Sequence, residues 1–89
     1  MVRLFVRHDV EDYEAWRKAY DEFDQQHRSM GVTGDAVFQS IDNPNDVTVW
    51  HDFETAEAAQ AFGSSDELRN AMQDAGVLGE PQVWFVSPS

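Results

Sequence analysis

Segments whose side chains alternate with a period of two flank a long aromatic stripe at helical spacing, and this arrangement limits the folds open to the chain. Val2–His8 and Val47–Phe53 place alternate residues on opposite faces, as β-strands do. Between them, side chains repeat at steps of three and four residues, which is the spacing of one helix face: Tyr13, Trp16, Tyr20, Phe23, His27 and Met30. The sequence pattern therefore predicts a helix between these two strands.

The rest of the sequence completes an order of six elements. Residues 32–41 predict a second strand, and the turn cluster Asp42–Asp46 separates it from the third. Thr55 is a good cap for a second helix, which is interrupted at Gly63–Ser65 and can restart from the serine there. Gln82–Val86 predicts a short last strand. The order β, α, β, β, α, β predicts an α+β ferredoxin-like fold, a four-stranded antiparallel sheet with two helices on one face.

Composition excludes several classes of function. Seventeen acidic residues against six basic ones give a net charge of −11, which opposes binding to nucleic acid and to anionic membrane surfaces. The absence of cysteine excludes disulfides, thiolate nucleophiles and Cys-bound metals. No apolar run approaches the ~20 residues of a membrane span, and the N-terminal residues are too charged for a signal peptide. We expect one domain, residues 1–89, in the cytoplasm.

Apolar side chains on both faces of the expected strands indicate that both faces are covered. Phe5 and Leu4 point to opposite faces of the first strand, and Trp50 and Val49 to opposite faces of the third. In the last strand, Trp84 lies on the face opposite to that of its apolar neighbours. Two helices cover only one face, and an antiparallel sheet open to water would carry polar residues on the other. A second copy of the chain, packed with two-fold symmetry, is the simplest cover. We therefore expect a homodimer whose facing sheets enclose a pocket.

Segments spread over nearly the whole chain follow the pattern of a known family. They are Val6–Val10 followed by Asp12-Tyr13 and Trp16, the Asp42–Asp46 turn before Val47–Phe53, Ser65–Arg69, and Ala75–Pro81. In these the chain resembles the dimeric α/β-barrel superfamily, which includes the antibiotic-biosynthesis-monooxygenase-like domains. The resemblance implies the ferredoxin-like fold and a dimer. It leaves the activity open, because members include oxygenases, isomerases, haem-degrading enzymes and proteins with no known reaction.

Two histidines on expected strands are candidate catalytic residues. His8 ends the first strand and His51 lies among apolar neighbours in the third, and imidazole titrates near neutral pH. The alternative for each is structural, with a hydrogen bond to the start of a helix or to the backbone. His27, near the end of the first helix, is expected to be structural, with a positive imidazolium that suits the helix dipole. The three lack metal-ligand spacing such as HxxxH, so neither a metal site nor a cofactor is expected.

Aromatic and basic side chains supply candidate substrate-binding residues. Phe5, Trp50 and Trp84 would form walls for a flat organic ligand. Arg7 shares the face of Phe5 and would hold an acidic or phenolate group. The alternatives for Arg7 are a salt bridge to one of the many carboxylates or pairing across a dimer. Trp16, central on the helical stripe, is expected in the core.

Two functions follow as hypotheses. The first is a cofactor-independent monooxygenase-like or cyclase/isomerase-like enzyme for a small aromatic or polyketide-like compound, with His8 or His51 as the acid–base group. The second is a non-catalytic, small-molecule-binding or stress-associated homodimer. A histidine that titrates inside a closed pocket favours the enzyme, whereas histidines satisfied by the backbone favour the second. The expected partners are a second copy of the chain and a small aromatic ligand, with neither nucleic acid nor a membrane.

Overall fold

Four strands and four helical segments make up the chain in a computed structural model that describes residues 1–89. The strands β1 to β4 are Val2–Val10, Gly34–Gln39, Asp46–Phe53 and Val77–Val86, and the helices α1 to α4 are Tyr13–Glu22, Asp24–Ser29, Ala56–Gly63 and Asp66–Asp74. The sheet order is β2-β3-β1-β4 and every pairing is antiparallel. The α+β ferredoxin-like architecture is thus confirmed, with the helices packed on one sheet face.

The pairing of β1 with β3 decides which residues enter the core. Leu4 lies opposite His51 and Val6 opposite Val49, so these side chains share one face of the sheet. Leu4 and Phe53 are fully buried on that face beneath the helices. The side chains between them along each strand point to the other face, which no helix covers. The alternation predicted from the sequence for these two strands is confirmed.

The first predicted helix is divided in two, which corrects the expectation of one continuous helix. Phe23 separates α1 from α2 with φ −89° and ψ 0°, outside regular helical geometry. The helical stripe continues across this break, and the rings of Phe23 and His27 meet edge to face with centroids 4.9 Å apart. The amide of Tyr13 at the start of α1 donates to Asn45 Oδ1, so a loop residue serves the role of the cap.

The second predicted helix is divided where the sequence indicated. Thr55 Oγ1 accepts a hydrogen bond from the Ala58 amide at 3.1 Å, and Ser65 Oγ accepts one from the Leu68 amide at 3.2 Å. These contacts satisfy donors that a helix N-terminus leaves free. Both predicted caps are therefore confirmed, and α3 and α4 are two short helices with a serine-capped restart between them.

The last strand is longer than predicted, and the second is shorter. β4 begins at Val77 rather than at Gln82, because the chain passes through Gly79 with φ +69° and continues in the sheet. Along β1 one residue lies between Arg7 and Asp9, whereas three residues lie between their partners on β4, Gln82 and Leu78. β4 thus carries a bulge, which an edge strand tolerates and which a glycine permits. None of the helices combines the length and hydropathy that crossing a bilayer requires.

Replacement of Phe62 by Ala tests the core. Phe62 is 1% exposed and its ring centroid lies 5.3 Å from that of Phe53 and 5.1 Å from that of His51. We expect Phe62→Ala to lower the free energy of unfolding by about 3–5 kcal/mol in urea titrations, since it leaves a cavity. Ile41→Ala, at a side chain that is 99% exposed, is the control and should change it by less than about 0.5 kcal/mol. Equal effects of the two substitutions would contradict the packing described.

Candidate functional site

A cavity lies between the helices and the sheet, within the single chain. The cavity itself has a volume of ≈ 50 Å³, and the ≈ 470 Å³ of empty space between its lining residues includes open solvent. Ten of its thirteen lining residues are hydrophobic, among them Trp16, Tyr20 and Met72, and the other three are histidines. A mostly apolar cavity with a few polar groups is the usual form of a small-molecule site.

The polar lining of this cavity consists of His8, His27 and His51. Their exposed fractions are 7%, 4% and 3%, and the Nδ1 atom of each is buried without a hydrogen-bond partner. An unpaired buried polar atom costs about 1–3 kcal/mol, so proteins rarely keep three without a use. The structural alternative, in which backbone groups satisfy the histidines, does not account for these atoms. No set of three His, Cys, Asp or Glu side chains is arranged to hold a metal ion.

His51 belongs to a chain of polar contacts that crosses three elements. It lies on β3 directly opposite Asp35 of β2, so both side chains face the helices. Tyr20 reaches down from α1 and contacts both of them. Its hydroxyl donates to Asp35 Oδ2 at 2.5 Å, and its oxygen lies 3.2 Å from His51 Nε2.

Burial keeps the three histidines uncharged at neutral pH. Loss of solvent lowers the pKa of His51 to about 4, and His27, when it is protonated, acts in the same direction. Burial also lowers the pKa of His8 and of His27. For His27 this lowering opposes the positive imidazolium that was expected at the helix end. Burial, followed by the hydrogen bond to Asp35, raises the pKa of Tyr20, so its phenol stays protonated.

Aromatic contacts fix the rings around His51. The ring centroid of His27 lies 5.0 Å from that of His51, in an edge-to-face arrangement, and that of Phe62 lies 5.1 Å away. On the other side of the cavity, the ring of His8 packs edge-on against Trp16 at 5.5 Å. These contacts hold the imidazoles at defined positions before any ligand arrives.

The six site residues predicted from the sequence do not form one pocket. His8 and His51 line the cavity under the helices. Phe5, Arg7, Trp50 and Trp84 lie on the opposite face of the sheet, because their positions along the strands have the other parity. The single chain thus places the two groups on opposite faces of the sheet, and the pocket expected between the facing sheets of a dimer stays a prediction.

The helix-free face holds its own ordered contacts. Phe5 and Trp84 stack with centroids 5.3 Å apart and planes within 10°. Arg7 makes a two-pronged salt bridge to Asp46 at 2.7 and 3.0 Å, within the chain rather than across a dimer. Arg3 makes an equivalent two-pronged salt bridge to Asp52. Its guanidinium carbon lies 3.8 Å from the centroid of the Trp50 ring, in a cation–π contact. For Arg7 the structure thus shows the salt-bridge alternative.

Two members of the cavity site, Tyr20 and Asp35, were missed in the sequence. Tyr20 lies on the helical stripe and has the spacing of a core residue. Asp35 follows Gly34 within residues 32–41, which the sequence predicted as the second strand without a functional role for Asp35. The one available signal was a tyrosine hydroxyl on an apolar helix face, since a buried phenol normally finds a partner.

No protein-family model matches the chain, and no curated protein is similar to it in sequence at a significant level. Solved structures are similar in fold. A protein from Bordetella bronchiseptica assigned as an antibiotic biosynthesis monooxygenase superposes with a TM-score of 0.84 at 17% identity, covering 99% of this chain and 96% of that one.

Two further structures have enzymatic descriptions. A Streptomyces coelicolor monooxygenase, solved with the ligand nanaomycin D, has a TM-score of 0.72 and 20% identity over 99% of this chain and 87% of its own. SnoaB, a cofactor-independent oxygenase from Streptomyces nogalater, has a TM-score of 0.77 and 9% identity over 98% and 91%. The chain therefore has the ferredoxin-like fold of the antibiotic-biosynthesis-monooxygenase-like proteins, as its sequence predicted.

Proposed function

We propose that the chain is a cofactor-independent, monooxygenase-like enzyme that acts on a small aromatic or polyketide-like compound in the cavity under the helices. The observation that carries this proposal is the buried ring of His51, which lines an apolar cavity and keeps an unpartnered Nδ1. A neutral imidazole with a free nitrogen is a general base. The fold shared with a cofactor-independent oxygenase supports the class of reaction, as analogy.

The cavity suits deprotonation of a phenol. Its lining includes the aromatic rings of Trp16 and Tyr20, and its low polarity strengthens any charge pair formed inside. His51 takes the hydroxyl proton, and the phenolate that results stabilises the imidazolium beside it. This pairing compensates for the low pKa of the free imidazole.

Molecular oxygen completes the reaction with balanced atoms and electrons. The phenolate transfers one electron to O₂, and the resulting superoxide and substrate radical combine at a ring carbon that bears hydrogen. The His51 imidazolium returns its proton to the peroxide. Loss of water then converts that carbon to a carbonyl, so one oxygen atom enters the product and the other leaves as water. A phenol and O₂ thus give a quinone and water.

Turnover of 1-naphthol tests this function. We expect the wild-type chain to consume O₂ and form 1,4-naphthoquinone, followed by absorbance and an oxygen electrode. His51→Gln should lower kcat by about 100-fold or more, since it removes the base. Tyr13→Phe, at a residue that does not line the cavity, is the control and should retain most of the activity. Binding of 1-naphthol without turnover would reject the oxygenase and leave the alternative, a non-catalytic binding protein.

Stability at low pH tests the environment assigned to His51. A folded-state pKa of about 4, against 6.5 for a free imidazole, means that the unfolded chain binds the proton first as pH falls. His51 alone should therefore destabilise the fold by about 3 kcal/mol between pH 7 and pH 4. Urea titrations at several pH values on wild type and His51→Gln should show a shallower loss in the variant. Parallel curves would contradict the burial of a neutral ring.

We also propose that the helix-free sheet face packs against a second copy of the chain. This face exposes apolar side chains, with Phe38 54% and Trp84 41% accessible. Its two arginines are each paired with an aspartate, so Asp9 is the one unpaired charge that β1 adds to this face of a chain of net charge −11. Acidic chains repel one another elsewhere, which favours self-association through this face.

Light scattering tests the dimer. We expect twice the chain mass for wild type and the single-chain mass for Trp84→Asp, because a buried unpaired carboxylate is costly. Ile41→Asp, at an exposed loop position off the face, is the control and should stay dimeric. A monomeric wild type at micromolar concentration would reject this interface.

A further inference from the structure

Tyr20 cannot donate to both of its partners. A phenol has a single O–H proton, and its oxygen contacts Asp35 Oδ2 at 2.5 Å and His51 Nε2 at 3.2 Å. An ionised carboxylate only accepts hydrogen bonds, so the Tyr20 proton goes to Asp35. The contact with His51 can then be a hydrogen bond only if Nε2 carries a proton and donates it to the Tyr20 oxygen.

From this order of donors we infer that Asp35, acting through Tyr20, holds His51 in the tautomer protonated at Nε2, which leaves Nδ1 as the only acceptor on the ring. Asp35 lies opposite His51 in the β2–β3 register, and Tyr20 extends from α1 towards both. These positions place the Tyr20 hydroxyl between the other two side chains. The neighbours on the remaining sides, His27 and Phe62, make ring contacts and offer Nδ1 no hydrogen bond.

This tautomer also sets the class of ligand. A ring that presents only an acceptor favours a molecule that brings a donor, so a free hydroxyl should bind in preference to its methyl ether. That consequence rests on the proposed function, because it requires the ligand to occupy the cavity. Tyr20 and Asp35 are then positioning residues, which set the proton location on His51 without touching the reacting atoms.

Nitrogen NMR of the ligand-free chain tests the tautomer directly. Long-range ¹H–¹⁵N correlation distinguishes the protonated from the unprotonated ring nitrogen in ¹⁵N-histidine-labelled protein. We expect wild-type His51 at neutral pH to be protonated at Nε2 alone. Tyr20→Phe and Asp35→Leu should each bring a second tautomer into the spectrum, since one removes the acceptor for Nε2–H and the other frees the Tyr20 proton. A proton on Nδ1 in wild type would overturn the inference.

Tyr13→Phe is the matched control, because it removes a tyrosine hydroxyl from the same helix at a residue that packs on Trp16 and does not line the cavity. It should leave the His51 signals unchanged, and a change equal to that of Tyr20→Phe would overturn the assigned contact. The backbone ¹H–¹⁵N spectrum of each variant verifies that it is folded.

Ligand titrations separate this inference from the proposed function. We expect 1-naphthol to bind up to about tenfold more tightly than 1-methoxynaphthalene in wild type, the loss of one hydrogen bond, and the difference to shrink in Tyr20→Phe. Equal affinities with the Nε2 tautomer present would overturn the ligand preference alone. The Nε2 tautomer together with no turnover of 1-naphthol would reject the oxygenase and support the positioning roles.

Discussion

The antiparallel pairing of β1 with β3 is the constraint on which the rest of the molecule depends. These are the two central strands of the sheet, and their register places Leu4 beside His51 and Val6 beside Val49. A slip of one residue would turn every side chain to the other face and carry Arg3 and Asp52 into the interior. The core, the histidine-lined cavity and the helix-free outer face are therefore specified together.

The three histidines occupy core positions at which a small domain would normally bury apolar side chains. A chain of this length buries only about 60–65% of its unfolded surface, so each apolar contact is a large share of its stability. His8 nevertheless occupies a buried place against Trp16, and His27 and His51 occupy buried places against Phe62, each with an unpaired Nδ1. An aliphatic residue at any of these positions would fill the space at lower cost. Local departures of this kind are typical of functional sites.

Much of the fold was predictable, because strand and helix periods are local properties of the sequence. The parity of His8, His51, Phe5 and Trp50 along their strands was read correctly as two separate faces. Which face receives the helices was not predictable, since that depends on the handedness and packing of the whole chain. The contact between Tyr20 and Asp35 could not be predicted either, because it depends on the rotation of α1 about its axis and on the β2–β3 register. The early part of β4 was missed because glycine and proline at positions 79 and 81 are typical of loops.

The bulge in β4 affects how molecules of this chain can meet. An edge strand with a continuous row of free amide and carbonyl groups can pair with the edge strand of another molecule. Repeated pairing of this kind produces open-ended aggregates. Here the extra residues opposite β1 interrupt that row, and Pro81 has no amide hydrogen to offer. Val83 and Phe85, exposed beyond the bulge, are thus poor nuclei for a continuous ribbon. The irregular β4 edge therefore disfavours edge-to-edge growth through this strand.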